Sequence, residues 1–98
     1  SPMNIVRIED LKSHLDQPVT LQGWVSSKRS SGKIHFIQVR DGSGICQCIV
    51  EPHSEEAFNR AKQLGQESSL IVQGIPRADE RSPGGVEMAV SHLEIVLM

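Results

Sequence analysis

A chain of 98 residues has room for one domain with a modest core, and 38% hydrophobic with 22% charged residues is an ordinary globular composition. A net charge of −2 excludes a chain that grips nucleic acid by bulk charge, so any such binding must be local and salt-sensitive. One Trp, two Phe and no Tyr leave each aromatic with more than usual weight in the reading.

Ser1-Pro2 ahead of Met3 reads as a remnant of tag cleavage, so residues 1–3 are set aside and 4–98 are taken as one domain. Ile8, Leu11 and Leu15 recur at helical spacing, which predicts one or two amphipathic turns closed by Gln17-Pro18. Val19, Leu21, Gly23 and Val25 then alternate with Thr20, Gln22, Trp24 and Ser26, the period-two signature of a first strand. Gly23 inside it predicts a bulge or a sharp bend, which small barrels need at their corners. Residues 26–33 read as a polar hairpin connection carrying Lys28, Arg29 and Lys33, with its turn at Ser30-Ser31-Gly32.

In the second strand, Ile37 and Val39 share one side with His35, while Ile34, Phe36, Gln38 and Arg40 share the other. The second side is too polar for a core, so Phe36 points outward. Asp41-Gly42-Ser43-Gly44 leads into a third strand over residues 45–50, with Cys46, Cys48 and Val50 inward and Gln47 outward. A hairpin over that turn puts Phe36 and Gln47 on one surface as cross-strand neighbours or near-neighbours.

Glu51-Pro52-His53 breaks the pattern, Ser54 is placed to cap a helix, and Glu55 and Glu56 suit the dipole at its first turn. Ala57, Phe58, Ala61 and Leu64 form its apolar stripe and Gly65 its end, so Phe58 is expected as a core anchor. A fourth strand runs from residue 69 to about 77, residues 78–85 form a charged Pro/Gly-rich loop, and residues 86–90 open a fifth strand. Val86, Met88 and Val90 are out of phase with Leu93 and Ile95, which a bulge near Ser91-His92 reconciles. Five strands with a helix between the third and fourth predict an all-β OB-fold, a five-stranded Greek-key barrel with a short N-terminal helix. A small barrel of SH3 type is the alternative from pattern alone, and the inserted helix favours the OB-fold.

No catalytic constellation emerges. His14, His35, His53 and His92 fall in four different elements without ligand spacing, and each reads as a surface or strand-edge residue rather than a metal ligand. Glu55-Glu56 and Asp79-Glu80 read as solvated charge, and Gly42-Ser43-Gly44 as a turn between strands rather than a phosphate loop. Cys46 and Cys48 face the same way on one strand and read as small buried hydrophobes, which agrees with a reducing, cytoplasmic compartment. The sequence holds no signal-peptide pattern and no apolar run long enough to span a membrane. What remains is an outward aromatic with Lys28, Arg29 and Lys33 nearby, a pattern suited to stacking bases and holding phosphates. A single exposed aromatic that merely covers a loop is the plainer reading of Phe36.

Gly23-Trp24-Val25, the downstream Arg29 and the run GKIHFIQVRDGSGICQC resemble the N-terminal anticodon-binding domain of class IIb aminoacyl-tRNA synthetases, the aspartyl, asparaginyl and lysyl enzymes. The stretch SPGGVEMAV, beginning at Ser82, resembles the asparaginyl branch of bacterial type. The resemblance implies that Phe36 stacks on the central anticodon uridine, that Gln47 and Glu87 read that base, and that Arg29 contacts the anticodon loop. The partner it implies is a tRNA anticodon loop of GUU type. It also implies that the domain alone is no enzyme and that the catalytic domain, with its ATP and magnesium, lies outside this chain. The isolated domain is then expected as a monomer and the parent as a homodimer joining asparagine to its tRNA. The same domain of an aspartyl enzyme is the runner-up. A general single-stranded nucleic-acid-binding OB domain would carry more basic and aromatic residues, and a protein-interaction barrel would have no RNA binding to lose.

Overall fold

The computed structural model describes residues 5–97, so the expectation for residues 1–3 lies outside it. Within that range five strands close into a barrel: β1 (Val19–Ser31), β2 (Ile34–Arg40), β3 (Ile45–Val50), β4 (Ser69–Ala78) and β5 (Val86–Leu97), in the spatial order β1-β2-β3-β5-β4. One α-helix, α1 (Glu55–Ala61), joins β3 to β4, and the expected OB-fold is what forms. All neighbouring strands are antiparallel except β3 and β5, which run parallel.

Alternation places the core where the sequence predicts it. Ile37, Val39, Cys46, Cys48, Val50, Val72, Met88 and Leu93 are all buried, and both cysteines are free. Ala57 and Ala61 of α1 and Leu64 just beyond it are buried, Phe58 is half-buried against that core, and the helix packs on β3 and β5. Near the start of β3, Ile8 and Leu11 are buried too, but the segment Ile8–His14 is a 3-10 helix rather than an α-helix. It is pinned there because the Ile8 N–H donates to the Asp41 carboxylate at 2.9 Å and the Glu9 N–H to Ser43 Oγ at 3.1 Å.

Several local expectations change. β1 continues to Ser31, and Ser31 pairs with Ile34, so the turn is the two residues Gly32-Lys33, with Gly32 at φ 61°. One strand serves two neighbours: its first half pairs with β4 and its second with β2, with a bulge between Val25 and Ser27. Gly23 is the close-approach site instead, because a Cβ there would run into the Arg40 carbonyl oxygen. Ser54 precedes α1 without a side-chain cap hydrogen bond. The left-handed residue after α1 is Glu67 at φ 67°, rather than Gly65. The bulge foreseen in β5 is present, since Gly74 pairs with Val90 and Gln73 with His92, leaving Ser91 as the extra residue.

His35 is not a surface histidine. It is 8% exposed, its Nδ1 shares a 2.8 Å hydrogen bond with Ser30 Oγ, and its ring lies 4.5 Å from that of Phe58. Burial first, then the Lys28 and Lys62 charges, lower its pKa from the ordinary 6.5. The folded state therefore takes up this proton less readily than the unfolded chain. Stability is complete above the ordinary histidine value and falls as pH drops below it. Thermal melts at about pH 8 and about pH 5 should show a lower Tm in acid, and His35→Gln should shrink that drop. An unchanged drop in the variant would place the acid sensitivity elsewhere.

Candidate nucleic-acid interface

The β2–β3 register is Phe36 opposite Ile49, Ile37 opposite Cys48 and Gln38 opposite Gln47. Side chains of like direction meet across such pairs, so Phe36 and Gln47 are diagonal near-neighbours on the outer face. Arg29 lies directly opposite Phe36 across β1–β2, with its guanidinium carbon 4.1 Å from the ring centroid. That stacked cation–π pair holds the ring in place on the surface. On the far side, Gln47 pairs with Glu87 across the parallel β3–β5 seam, and Glu87 pairs with Arg77 across β5–β4. One outward row therefore runs Gln38, Gln47, Glu87, Arg77, with Phe36 and Arg29 in the next row.

Four of the six residues expected to touch RNA share this face: Arg29, Phe36, Gln47 and Glu87. Lys33 sits exposed at the tip of the β1–β2 turn, beyond the rows. Lys28 does not belong to the face. It pairs with the inward Ile37, and its ammonium donates to the Ala61 carbonyl at 2.9 Å and the Lys62 carbonyl at 3.4 Å. A cation there suits the negative end of α1, where the Ala61 carbonyl also accepts from the Leu64 N–H at 3.2 Å. Adjacent residues on a strand point to opposite sides, so once β1 extends through residues 28 and 29 only one can face the RNA side.

Glu87 is held by several groups at once. Its carboxyl is 3.5 Å from the Arg77 guanidinium and its side chain is 15% exposed; Gln47 stands opposite it across β3–β5, and Asp79, paired towards Gly85, lies diagonal to it on the same face. Burial, then the Asp79 charge, raise its pKa above the ordinary 4.5, while Arg77 and Gln47 pull it back. Asp79 shifts the opposite way, chiefly because the Arg81 backbone N–H donates to its carboxylate at 3.0 Å.

Sequence reasoning missed three members of the neighbourhood. Gln38 was legible, because alternation alone puts it on the side of Phe36. Arg77 and Asp79 were not, because their approach to Glu87 depends on how β4 and its following loop return against β5. Trp24 and Arg40, paired across β1–β2 and stacked at 5.7 Å, extend the outer surface towards Glu67, which accepts from Arg40 at 3.2 Å.

An outward ring with a guanidinium over it, flanked by an amide and a carboxyl on a closed five-stranded barrel, has the chemistry to stack and hydrogen-bond an unpaired base. The sequence model of the tRNA anticodon family, described as an OB-fold nucleic acid binding domain, matches residues 19–96, and the chain belongs to that family. Within it the chain is 47% identical over 96 residues to an asparagine–tRNA ligase of Symbiobacterium thermophilum, covering 96% of this chain and 22% of that protein. It superposes on the asparaginyl-tRNA synthetase of Pyrococcus horikoshii, solved with asparaginyl-adenylate, with a TM-score of 0.87 at 42% identity, over 94% of this chain and 22% of that one. An aspartyl-tRNA synthetase from Entamoeba histolytica matches at TM-score 0.83 but 24% identity, over 98% of this chain and 22% of that one, a likeness of fold alone. The chain spans about a fifth of the length of the curated relatives it matches.

Proposed function

We propose that this domain holds a tRNA anticodon loop of GUU type and reads its central base as uridine, as the RNA-binding part of an asparagine–tRNA ligase. The observation that carries the reading is the shared outward face of Phe36, Arg29, Gln47 and Glu87. Stacking on Phe36 holds any base. Discrimination falls to the amide of Gln47, which presents both a donor and an acceptor, and to the Glu87 carboxylate, which accepts from the uridine imino N–H. Cytidine brings a bare acceptor at that position, so base and carboxylate would both go unpaired. Arg29 and Lys33 are the cations placed for the loop phosphates.

In this reading the parent joins asparagine to its tRNA with ATP and magnesium in the cytoplasm, as a homodimer, while the isolated barrel is a monomer. ATP and magnesium belong, in this reading, to the parent's catalytic part. No helix of the described residues is long and apolar enough to cross a membrane. The higher identities to asparaginyl relatives support that branch over the aspartyl one.

Titration of the chain at low salt with stem-loops carrying GUU and GCU anticodons tests the reading. The GUU loop should bind about tenfold more tightly, the worth of one good hydrogen-bonding match. Gln47→Ala should narrow that ratio without unfolding the barrel. Equal, salt-erased binding to both loops would overturn base reading and leave only electrostatic attraction.

A further inference from the structure

We infer that Asp79 and Arg77 are positioning residues for base reading: they hold the Glu87 carboxyl between them and make the uridine preference depend on pH. The inference rests on the proposed uridine reading by Gln47 and Glu87.

The groups around Glu87 come from three directions. Across β4–β5 stands Arg77, with its guanidinium 3.5 Å from Glu87 Oε1. Across β3–β5 stands the uncharged Gln47, flanked along β3 by the apolar Ile45 and Ile49. Out of the end of β4 comes Asp79, 20% exposed at its side chain; its N–H donates to the Gly85 carbonyl at 3.0 Å, one step beyond the Ala78–Val86 pair, which sets it diagonal to Glu87 on the same face. Arg81 holds Asp79 in place through its backbone N–H at 3.0 Å and its guanidinium at 3.5 Å. Lys12 of the 3-10 helix packs against Gly85, just ahead of β5.

Two little-exposed carboxyls at diagonal positions on one face either share a proton or repel each other. Asp79 has the Arg81 N–H and guanidinium on it and keeps its negative charge. The proton therefore goes to Glu87, in agreement with the opposite pKa directions of the two groups. Ionised, Glu87 accepts from the uridine imino N–H. Protonated, it offers an O–H instead, which matches the bare ring nitrogen of cytidine or is spent on Asp79. The donor–acceptor pattern that favours uridine thus weakens as the site takes up its proton, at a pH above the ordinary glutamate value of 4.5.

The test is the ratio of Kd values for the GCU and GUU stem-loops, measured with the 98-residue chain. The pH series runs between about 8 and about 5, above the range where cytidine itself titrates. The ratio should be about tenfold at the alkaline end and fall several-fold towards acid. Asp79→Asn keeps an oxygen for the Arg81 N–H but removes the charge, so its fall should move to lower pH. Arg77→Gln removes the opposing cation, so its fall should move to higher pH. Glu87→Gln should give a low, flat ratio. Opposite displacements by two charge variants cannot come from a common loss of fold, which circular dichroism at each pH checks directly. A wild-type ratio that favours uridine but stays flat with pH, or an Asp79→Asn profile that overlays the wild type, would overturn this inference and leave the uridine reading standing. No uridine preference at the alkaline end would overturn both.

Discussion

Phe36→Ala should weaken binding of an anticodon stem-loop by about 1–3 kcal/mol, or about 5- to 150-fold, and by the same factor for GUU and GCU loops. Stacking is indifferent to base identity because every base offers a π-face, so affinity should fall while the uridine-to-cytidine ratio stays in place. The fold should be unaffected, because Phe36 lies on the outer face while Ile37 and Val39 carry the strand's share of the core. Arg29 complicates the free state in an instructive way. Its guanidinium already covers one face of the ring at 4.1 Å, so an incoming base either takes the other face or displaces a cation that then turns to the phosphates. Phe36→Leu, which keeps bulk but loses the π-face, should resemble Phe36→Ala in binding. RNA binding by Phe36→Ala equal to wild type would sink the stacking assignment, and with it the case for this face.

Gly74→Ala should be the most damaging single methyl in the barrel, costing about 3 kcal/mol of stability. A Cβ at this position would run into the carbonyl oxygen of Ala89 and lie 2.9 Å from its carbonyl carbon and 3.0 Å from the Cα of Val90. Those atoms are backbone, so no rotamer change can relieve the overlap, and the two strands must part along the β4–β5 seam. That seam is where the Ser91 bulge lets β5 change phase, with Gly74 opposite Val90 and Gln73 opposite His92. Close approach and bulge belong together: the extra residue bends β5 towards β4, and only a residue without a side chain accommodates it. Gly65→Ala is the matched control, since nothing lies within 4 Å of its added Cβ; it should be neutral or slightly stabilising through the unfolded chain. Urea unfolding of both variants checks the contrast. A Gly74→Ala midpoint within error of wild type would mean that the strands are free to separate there.

The outward direction of Phe36, Gln47 and Glu87 was legible in the residues alone, because a strand alternates with period two and each run declares its core side by its apolar members. The order of elements, the bulge near Ser91 and the burial of Cys46 and Cys48 followed from the same local signal. Lys28 shows where that signal ended. Treated as part of a flexible connection, it could be grouped with Arg29. In the barrel, β1 stays in register with β2 as far as Ser31, and the ammonium is drawn to the carbonyls that end α1. Pairing partners are not written into any strand's own pattern. The parallel alignment that sets Gln47 beside Glu87 arises only when the sheet closes, and Arg77 meets the same carboxyl only once β4 and β5 pair in this register. Local alternation determined which side chains leave the core. Closure of the barrel decided which of them meet, because contacts between residues forty positions apart depend on strand register and on burial of the whole core at once.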